Sequence, residues 1–406
     1  MTHAAAGVDI EGGSSPDLLL DVTRLLVQFG TGKASTGIDR VCLAYIRHFR
    51  AQSRAVIQVR RGFFSFSHIL SRRDSEVLYQ RLLAPGQKFG QWLILFLARV
   101  VLKSAGPRPD VRGAIYLNVG HMGIGVPGYG DWLVSLGVKP VFLVHDLIPI
   151  THPEYCTPRA KELHQARMET VLNHAAGVIT NSQASLTALQ DFADERGAIL
   201  PYCTYALLGD DLLQNGALRS AQRPLAEPYF VVVGTIEARK NHLLLLQVWR
   251  KLVQIEGDRA PRLVVIGRRG WEAESVIDLL ERCESLQGVV IEHSSCCDAE
   301  LVGYLKHAKA LLFPSHTEGY GLPLIEALGL GTPVLASDLS VFREIAQDIP
   351  DYIDPLDGMA WLAAVQDYAQ EGSERRGQQL NRMLAYRQPQ WSEHFAKVDA
   401  WLGQLR

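Results

Sequence analysis

The stretch 315-SHTEGYGLPLIEALGLGTPVLAS-337 decides how this chain is read. Gly319 and Gly321 loosen the backbone just before Pro323, a residue suited to the first helical position, where its missing N–H costs nothing. Gly331 suits the helix exit, Thr332-Pro333 blocks continuation, and Val334-Leu335-Ala336 reads as the next strand. The segment 318-EGYG-321 therefore precedes a helix N-terminus, whose first backbone N–H groups can receive an anion. Two carboxylates, Glu318 and Glu326, frame this turn. They would repel an anion unless they bind something else, and ionised carboxylates are strong acceptors for hydroxyl groups. The expected ligand carries both phosphate and hydroxyls.

A second motif lies upstream, 231-VVVGTIEARKNH-242. A strand ends at Gly234, which lets backbone approach a ligand, and Arg239-Lys240 precede the next helix. Two adjacent cations at a strand's carboxyl end can face a diphosphate, the arginine bidentately. Between these motifs and around them, short apolar runs alternate with helical spacing. In the first half they are 18-LLLDVTRLL-26 (a strand and its exit), 114-AIYLNV-119, 140-PVFLVHD-146 and 176-AGVIT-180. In the second they are 229-YFVVVG-234, 262-RLVVIG-267, 288-GVVIEH-293, 310-ALLFPS-315 and 333-PVLAS-337. Near-continuous apolar strands between helices imply α/β architecture with parallel sheets covered on both faces.

At 406 residues two domains are the default, and 47% hydrophobic with 21% charged residues describes a globular chain. The net charge of -2 gives no global reason to expect nucleic acid. Six cysteines form no CxxC pair and no zinc-spaced cluster, and free thiols fit a reducing cytoplasm. The N-terminus lacks a basic-then-apolar run, so no signal peptide is expected. The longest apolar stretch, 92-WLILFLA-98, falls short of the roughly 20 residues of a spanning helix.

With both motifs in view, the chain resembles the retaining glycosyltransferases of family 4, which have the GT-B fold. Their Glu-x7-Glu signature is matched by Glu318 and Glu326, with Gly319, Gly321, Pro323 and Pro333 around it. Their diphosphate-binding cations are matched by Arg239 and Lys240. His145, in 144-VHDLIPITHPEY-155, matches a histidine placed near donor sugar and acceptor. Gly37, in 36-TGIDRV-41, matches an N-terminal glycine loop, although the usual adjacent Gly-Gly pair is absent. No G-x-G-x-x-G follows either half's first strand, which argues against a dehydrogenase.

The resemblance implies a GT-B, α/β fold of two Rossmann-like doubly wound domains facing across a cleft. The first, 1–212, would bind acceptor and includes a basic, apolar segment 54–112. A linker would follow at 213–228, then a nucleotide-sugar domain at 229–386. A C-terminal helix, 387–406, would return to the N-terminal domain. The expected catalytic residues are His145, Glu318, Arg239 and Lys240. Donor binding is expected from Gly37, Gly234, Arg239, Lys240, Glu318, Gly319, Tyr320, Gly321, Leu322 and Glu326, the last holding ribose from its helix's first turn.

The resemblance further implies a nucleotide-diphospho-sugar donor, GDP-mannose in the first instance, and transfer with retained anomeric configuration. Fixed cations and backbone dipoles would stabilise the leaving group, with no cofactor and no metal. The acceptor would be a glycan or a lipid-linked oligosaccharide in cell-surface polysaccharide assembly. A nucleotide-sugar epimerase and a non-catalytic glycan-binding subunit are the alternatives. Segment 54–112 carries 11 Arg/Lys against Asp74, Glu76 and Asp110, interleaved with apolar residues. That pattern suits either an anionic membrane surface, placing the protein peripherally on the inner face of the cell membrane, or packing on its own domain.

Overall fold

A computed structural model describes residues 18–32, 35–61, 64–103, 110–210, 212 and 222–406. The first half of the expected linker, the expected loose start and residues 104–109 of the basic segment lie outside the described residues. So do the side chains of 59–66, 101 and 103.

Seven strands form the first sheet: β1 (Leu18–Asp21), β2 (Ser53–Arg61), β3 (Phe64–Ile69), β4 (Ile115–Asn118), β5 (Lys139–Val144), β6 (Gly177–Thr180) and β7 (Tyr202–Tyr205). Their order is β3-β2-β1-β4-β5-β6-β7. β1 pairs in parallel with β2 and β4, and β4 with β5. β3 runs antiparallel to β2 at the sheet edge. The basic segment 54–112 thus opens with a hairpin of the sheet. Ala55, Val56 and Ile57 are buried in the sheet, where β2 pairs with β1 on one side and β3 on the other, and the flanking arginines hid this hairpin. The run 18–26 divides into a strand and its exit. Its strand stops at Asp21, whose carboxylate accepts from the N–H of Thr23, and a helix occupies Thr23–Gly30.

Six strands form the second sheet: β8 (Tyr229–Val233), β9 (Arg262–Ile266), β10 (Val290–His293), β11 (Leu311–Phe313), β12 (Val334–Ser337) and β13 (Asp351–Ile353). The order is β10-β9-β8-β11-β12-β13, and every pairing is parallel. Parallel sheets need cover on both faces. On one face Phe230, Val232, Leu263, Val265 and Leu312 meet Leu245, Trp249 and Leu252 of one helix and Trp361, Val365 and Tyr368 of another. Each such side chain, fully buried, contributes roughly 1.5–3 kcal/mol.

By contacts the chain divides into two compact units. One holds the described residues of Met1–Leu143 with Asn173–Val178 and Leu402–Arg406; the other holds Val144–Leu172 and Ile179–Trp401. In the first unit a buried polar network closes the ends of β1, β2 and β4. Tyr116 donates its hydroxyl to Asp21 at 2.6 Å, Gln58 donates to the same oxygen, and Asn118 donates to the Tyr129 hydroxyl. In the second unit the strand order reverses between β8 and β11, and the candidate site lies at the carboxyl ends of those two strands.

Candidate functional site

β8 leaves the sheet through Gly234, whose N–H donates to the Ile266 carbonyl at 2.9 Å. The chain turns through Glu237, a short helical turn at Ala238–Lys240, and Asn241, whose φ is +56°. Asparagine tolerates this left-handed conformation, and its amide donates to the carbonyls of Pro314 and Pro355, fixing the turn against the end of β11. From β11 the chain passes through Ser315, His316 and Thr317 to Glu318. His316 donates its N–H to the Arg239 carbonyl at 2.8 Å, so the two strand ends are stitched together.

The charged side chains converge there. Arg239 Nη1 reaches Glu318 Oε2 at 2.7 Å, and Lys240 Nζ reaches Glu318 Oε1 at 2.5 Å. Arg239 Nε reaches Glu237 Oε1 at 2.6 Å, and Ser315 donates its hydroxyl to Glu318. Burial alone would push the Glu318 carboxyl up, but the Arg239 and Lys240 charges outweigh it and hold it at about 2. Burial keeps Lys240 below its ordinary value despite Glu318, and raises Glu237 despite both cations. Asp146 also adds its negative charge to the surroundings of Arg239.

The structure therefore brings together Arg239, Lys240 and Glu318, and adds Glu237, which sequence reading passed over. Its signal was present in 237-EARK-240: an acid two residues before the arginine, beyond the end of a strand. Glu318 is satisfied by cations rather than left seeking hydroxyls. By hydrogen bonds, Arg239 Nη2 and two of the three ammonium hydrogens of Lys240 have no partner among the described residues. Those donors remain for a ligand.

The turn after Glu318 packs tightly on the segment from His145. A Cβ on Gly319 would lie 2.7 Å from Asp146 Cβ and 2.8 Å from the His145 carbonyl oxygen. Ser185 donates to that same carbonyl at 3.1 Å. His145 itself is buried. Gly321, at φ +120°, enters the helix Leu322–Gly329 with no capping side chain. Leu322 is half-buried.

Two expected donor-binding residues stand differently from the expectation. Tyr320 is buried and donates its hydroxyl to the Leu208 carbonyl at 2.7 Å, which makes it a tie between loops. Glu326 is the fifth residue of its helix, in the second turn rather than the first, and is 1% exposed. Gly37 belongs to the other unit and opens the helix Gly37–Phe49. The N-terminus of that helix is already occupied: Asp39 accepts from the N–H and hydroxyl of Thr36, and Arg24 holds its other oxygen at 2.7 Å. Among the described residues no group of three or more His, Cys, Asp or Glu side chains could hold a metal ion.

Two Rossmann-like α/β sheets, with a charged cluster at the strand reversal of the second, are the architecture of the GT-B fold. Residues 217–352 match the family model "Glycosyl transferases group 1", so this region, which holds the charged cluster, is similar to a group 1 glycosyltransferase domain. The serotype-specific mannosyltransferase WbdA of Escherichia coli is 30% identical over 231 residues, 54% of this chain and 28% of WbdA. The O-antigen chain mannosyltransferase B of Escherichia coli is 33% identical over 147 residues, 36% of this chain and 38% of that protein. The chain thus spans little more than a quarter of WbdA's length. Anabaena Alr3699/HepE, solved in complex with UDP-glucose, shares the fold with a TM-score of 0.68 at 13% identity, covering 96% of this chain and all of that one.

Proposed function

We propose that this protein transfers a sugar from a nucleotide-diphospho-sugar to a glycan or lipid-linked oligosaccharide, with retention of configuration. The observation that carries the reading is the place of the Arg239–Lys240–Glu318 cluster. It lies outside the carboxyl ends of β8 and β11, where the strand order reverses and where open α/β sheets bind ligands. Mannose, from GDP-mannose, is the first choice of sugar, supported by the mannosyltransferase relatives.

In this reading the unused donors of Arg239 and Lys240 take the diphosphate as the anomeric bond lengthens. Fixed cations offset the charge that builds on the leaving oxygen, without reorganisation and without a metal. The departing phosphate accepts the proton of the attacking hydroxyl, so no protein nucleophile is required. Glu318, held ionised by its neighbours, accepts from sugar hydroxyls once the diphosphate shares its cations. Glu326 serves the ribose, the turn at Gly37 approaches the diphosphate, and His145 holds the acceptor or a sugar hydroxyl. The protein works in the cytoplasm, on the assembly of a cell-surface polysaccharide.

A thermal-shift panel of nucleoside diphosphates tests the donor, because a ligand that binds only the folded state at 100 times its Kd adds about 2.7 kcal/mol. GDP and GDP-mannose should raise Tm above UDP and ADP. Transfer of radiolabelled mannose to a membrane-extracted acceptor should persist after exhaustive EDTA treatment. Activity lost to EDTA and restored by manganese would overturn the leaving-group chemistry. GDP release that needs no acceptor would point to an epimerase or a hydrolase instead.

A further inference from the structure

The helix Phe89–Lys103 carries apolar side chains on two opposite faces. Phe89, Leu93, Phe96 and Val100 form the inner one, all buried. This face packs on the helix Thr23–Gly30, where Phe29 meets Phe89 edge-on at 6.1 Å and a Cβ on Gly30 would touch Leu93. On the outer face Ile94, Leu95 and Leu102 are 69%, 72% and 82% exposed. At 3.6 residues per turn these three and Ala98 fall within an arc of about 100°. A surface helix of a globular protein keeps its apolar stripe for the core and turns a polar face outward. This one does not.

The surroundings of the outer face are cationic. Lys88 precedes this helix and is exposed, and Arg72, Arg73 and Arg81 are exposed on the helix Arg72–Leu83, which reaches it through Asp74 and Arg81. Of the nearby acids, Asp74 is already paired with Arg99 at 3.2 Å, and Glu76 is half-buried. Trp92, half-buried at the edge of the helix, stacks on Phe96 and lies under the Arg81 guanidinium, 5.3 Å from the ring centroid. A second copy of the chain docked on this face would set these cations against each other. An anionic bilayer fits both properties: the aliphatic side chains enter the acyl boundary while guanidinium and ammonium groups meet headgroup phosphates.

We propose that the outer face of Phe89–Lys103 is a peripheral anchor for an anionic lipid surface. It rests on this face alone and not on the donor chemistry. Among the described residues no helix is long and apolar enough to cross a membrane, so the contact is with one leaflet.

The test is co-sedimentation of the full chain with vesicles of phosphatidylglycerol and phosphatidylethanolamine, against vesicles of phosphatidylcholine. Partitioning should be at least about tenfold stronger onto the anionic vesicles and should weaken with salt. The triple variant Ile94→Gln, Leu95→Gln, Leu102→Gln should lose about tenfold or more of it, with unchanged Tm because these side chains are solvated. Arg73→Glu with Lys88→Glu should abolish the preference for anionic lipid. Equal partitioning of the triple variant and the parent, or no partitioning at all, would overturn the proposal. So would a self-association that the triple variant abolishes in the absence of vesicle binding.

Discussion

Glu318 shows at the scale of single residues what a sequence can and cannot say. Its place at an anion-receiving turn was readable from the sequence around it, and its link to the Arg239-Lys240 pair came from the family resemblance. That its two oxygens are divided between Arg239 and Lys240 was not readable, because the partners lie 78 and 79 positions away and meet only when β8 and β11 pair. In the proposed reaction both cations matter more in the transition state than in the ground state. Lys240→Ala should therefore lower kcat by at least about tenfold, ~1.4 kcal/mol of lost stabilisation. Arg239→Lys should not restore function, since one ammonium cannot hold Glu237 through Nε and Glu318 through Nη1 together. Steady-state kinetics at saturating acceptor, with circular dichroism as the check on folding, decide this. Wild-type turnover in both variants would make the pair ordinary surface charges.

His242 supplies a second residue-scale prediction. Neither ring nitrogen has a hydrogen-bond partner among the described residues, and the ring lines one apolar pocket with Val232, Leu245, Leu246 and Leu263. Burial, with Lys240 nearby, lowers its pKa from the ordinary 6.5 to about 3. Between those values the unfolded chain binds a proton that the folded chain refuses. This contribution to stability is complete above about 6.5 and is lost as pH falls toward 3. Glu318 adds a second window, from 4.5 down to about 2, in which its paired carboxylate must be protonated on unfolding. Tm should thus decline from pH 6.5 and more steeply below 4.5. His242→Leu should flatten the upper part of the curve; a variant as acid-sensitive as the parent would exclude His242 as the cause.

Among the elements, the helix Leu322–Gly329 and the turn before it were the most legible. Pro323, Gly331 and Pro333 punctuate it locally, and local punctuation survives folding. The hairpin β2–β3 was hidden for the opposite reason: arginines at its tip and base outweighed an alternation that only pairing makes meaningful. The burial of Tyr320 and Glu326 was equally beyond the sequence, since it depends on what packs over a polar side chain. The two glycines of the turn act differently. Gly321 needs its φ of +120°, which a residue with a Cβ rarely adopts. Gly319 has no such backbone demand; it leaves room for Asp146 and the His145 carbonyl. Gly319→Ala should consequently push these segments apart, cost about 1–3 kcal/mol of stability, and draw Glu318 away from its cations. Denaturant unfolding should show the loss, and donor affinity should fall with it. An alanine variant of parental stability and affinity would mean the turn yields freely.

Over the whole molecule, the alternation of strands and helices gave both Rossmann-like sheets, but not which distant segments depend on one another. The last helix, Trp391–Leu405, illustrates this. Trp391, Phe395, Val398, Trp401 and Leu402 are all buried along it. His394 Nδ1 lies 3.1 Å from the carbonyls of Ala206 and Leu207, Trp401 stacks on Tyr202 at 5.3 Å, and the Lys397 ammonium lies 3.7 Å from the Tyr205 ring centroid. Gly209 admits Trp391 so closely that a Cβ there would meet its backbone nitrogen. At the far end Lys139 donates to the Leu405 carbonyl at 2.7 Å. Five apolar side chains at roughly 1.5–3 kcal/mol each are comparable to the roughly 5–15 kcal/mol by which a domain is stable. Removing the chain from Pro389 onward should therefore abolish cooperative folding rather than trim an appendage. The truncated protein should be insoluble, or should bind a hydrophobic dye and melt without a transition, and should bind no nucleoside diphosphate. A truncated chain that kept a sharp transition within a few degrees of the parent would mean that the strand β7 and the segment to Asp210 hold without this helix, and that the two ends of the sequence fold independently.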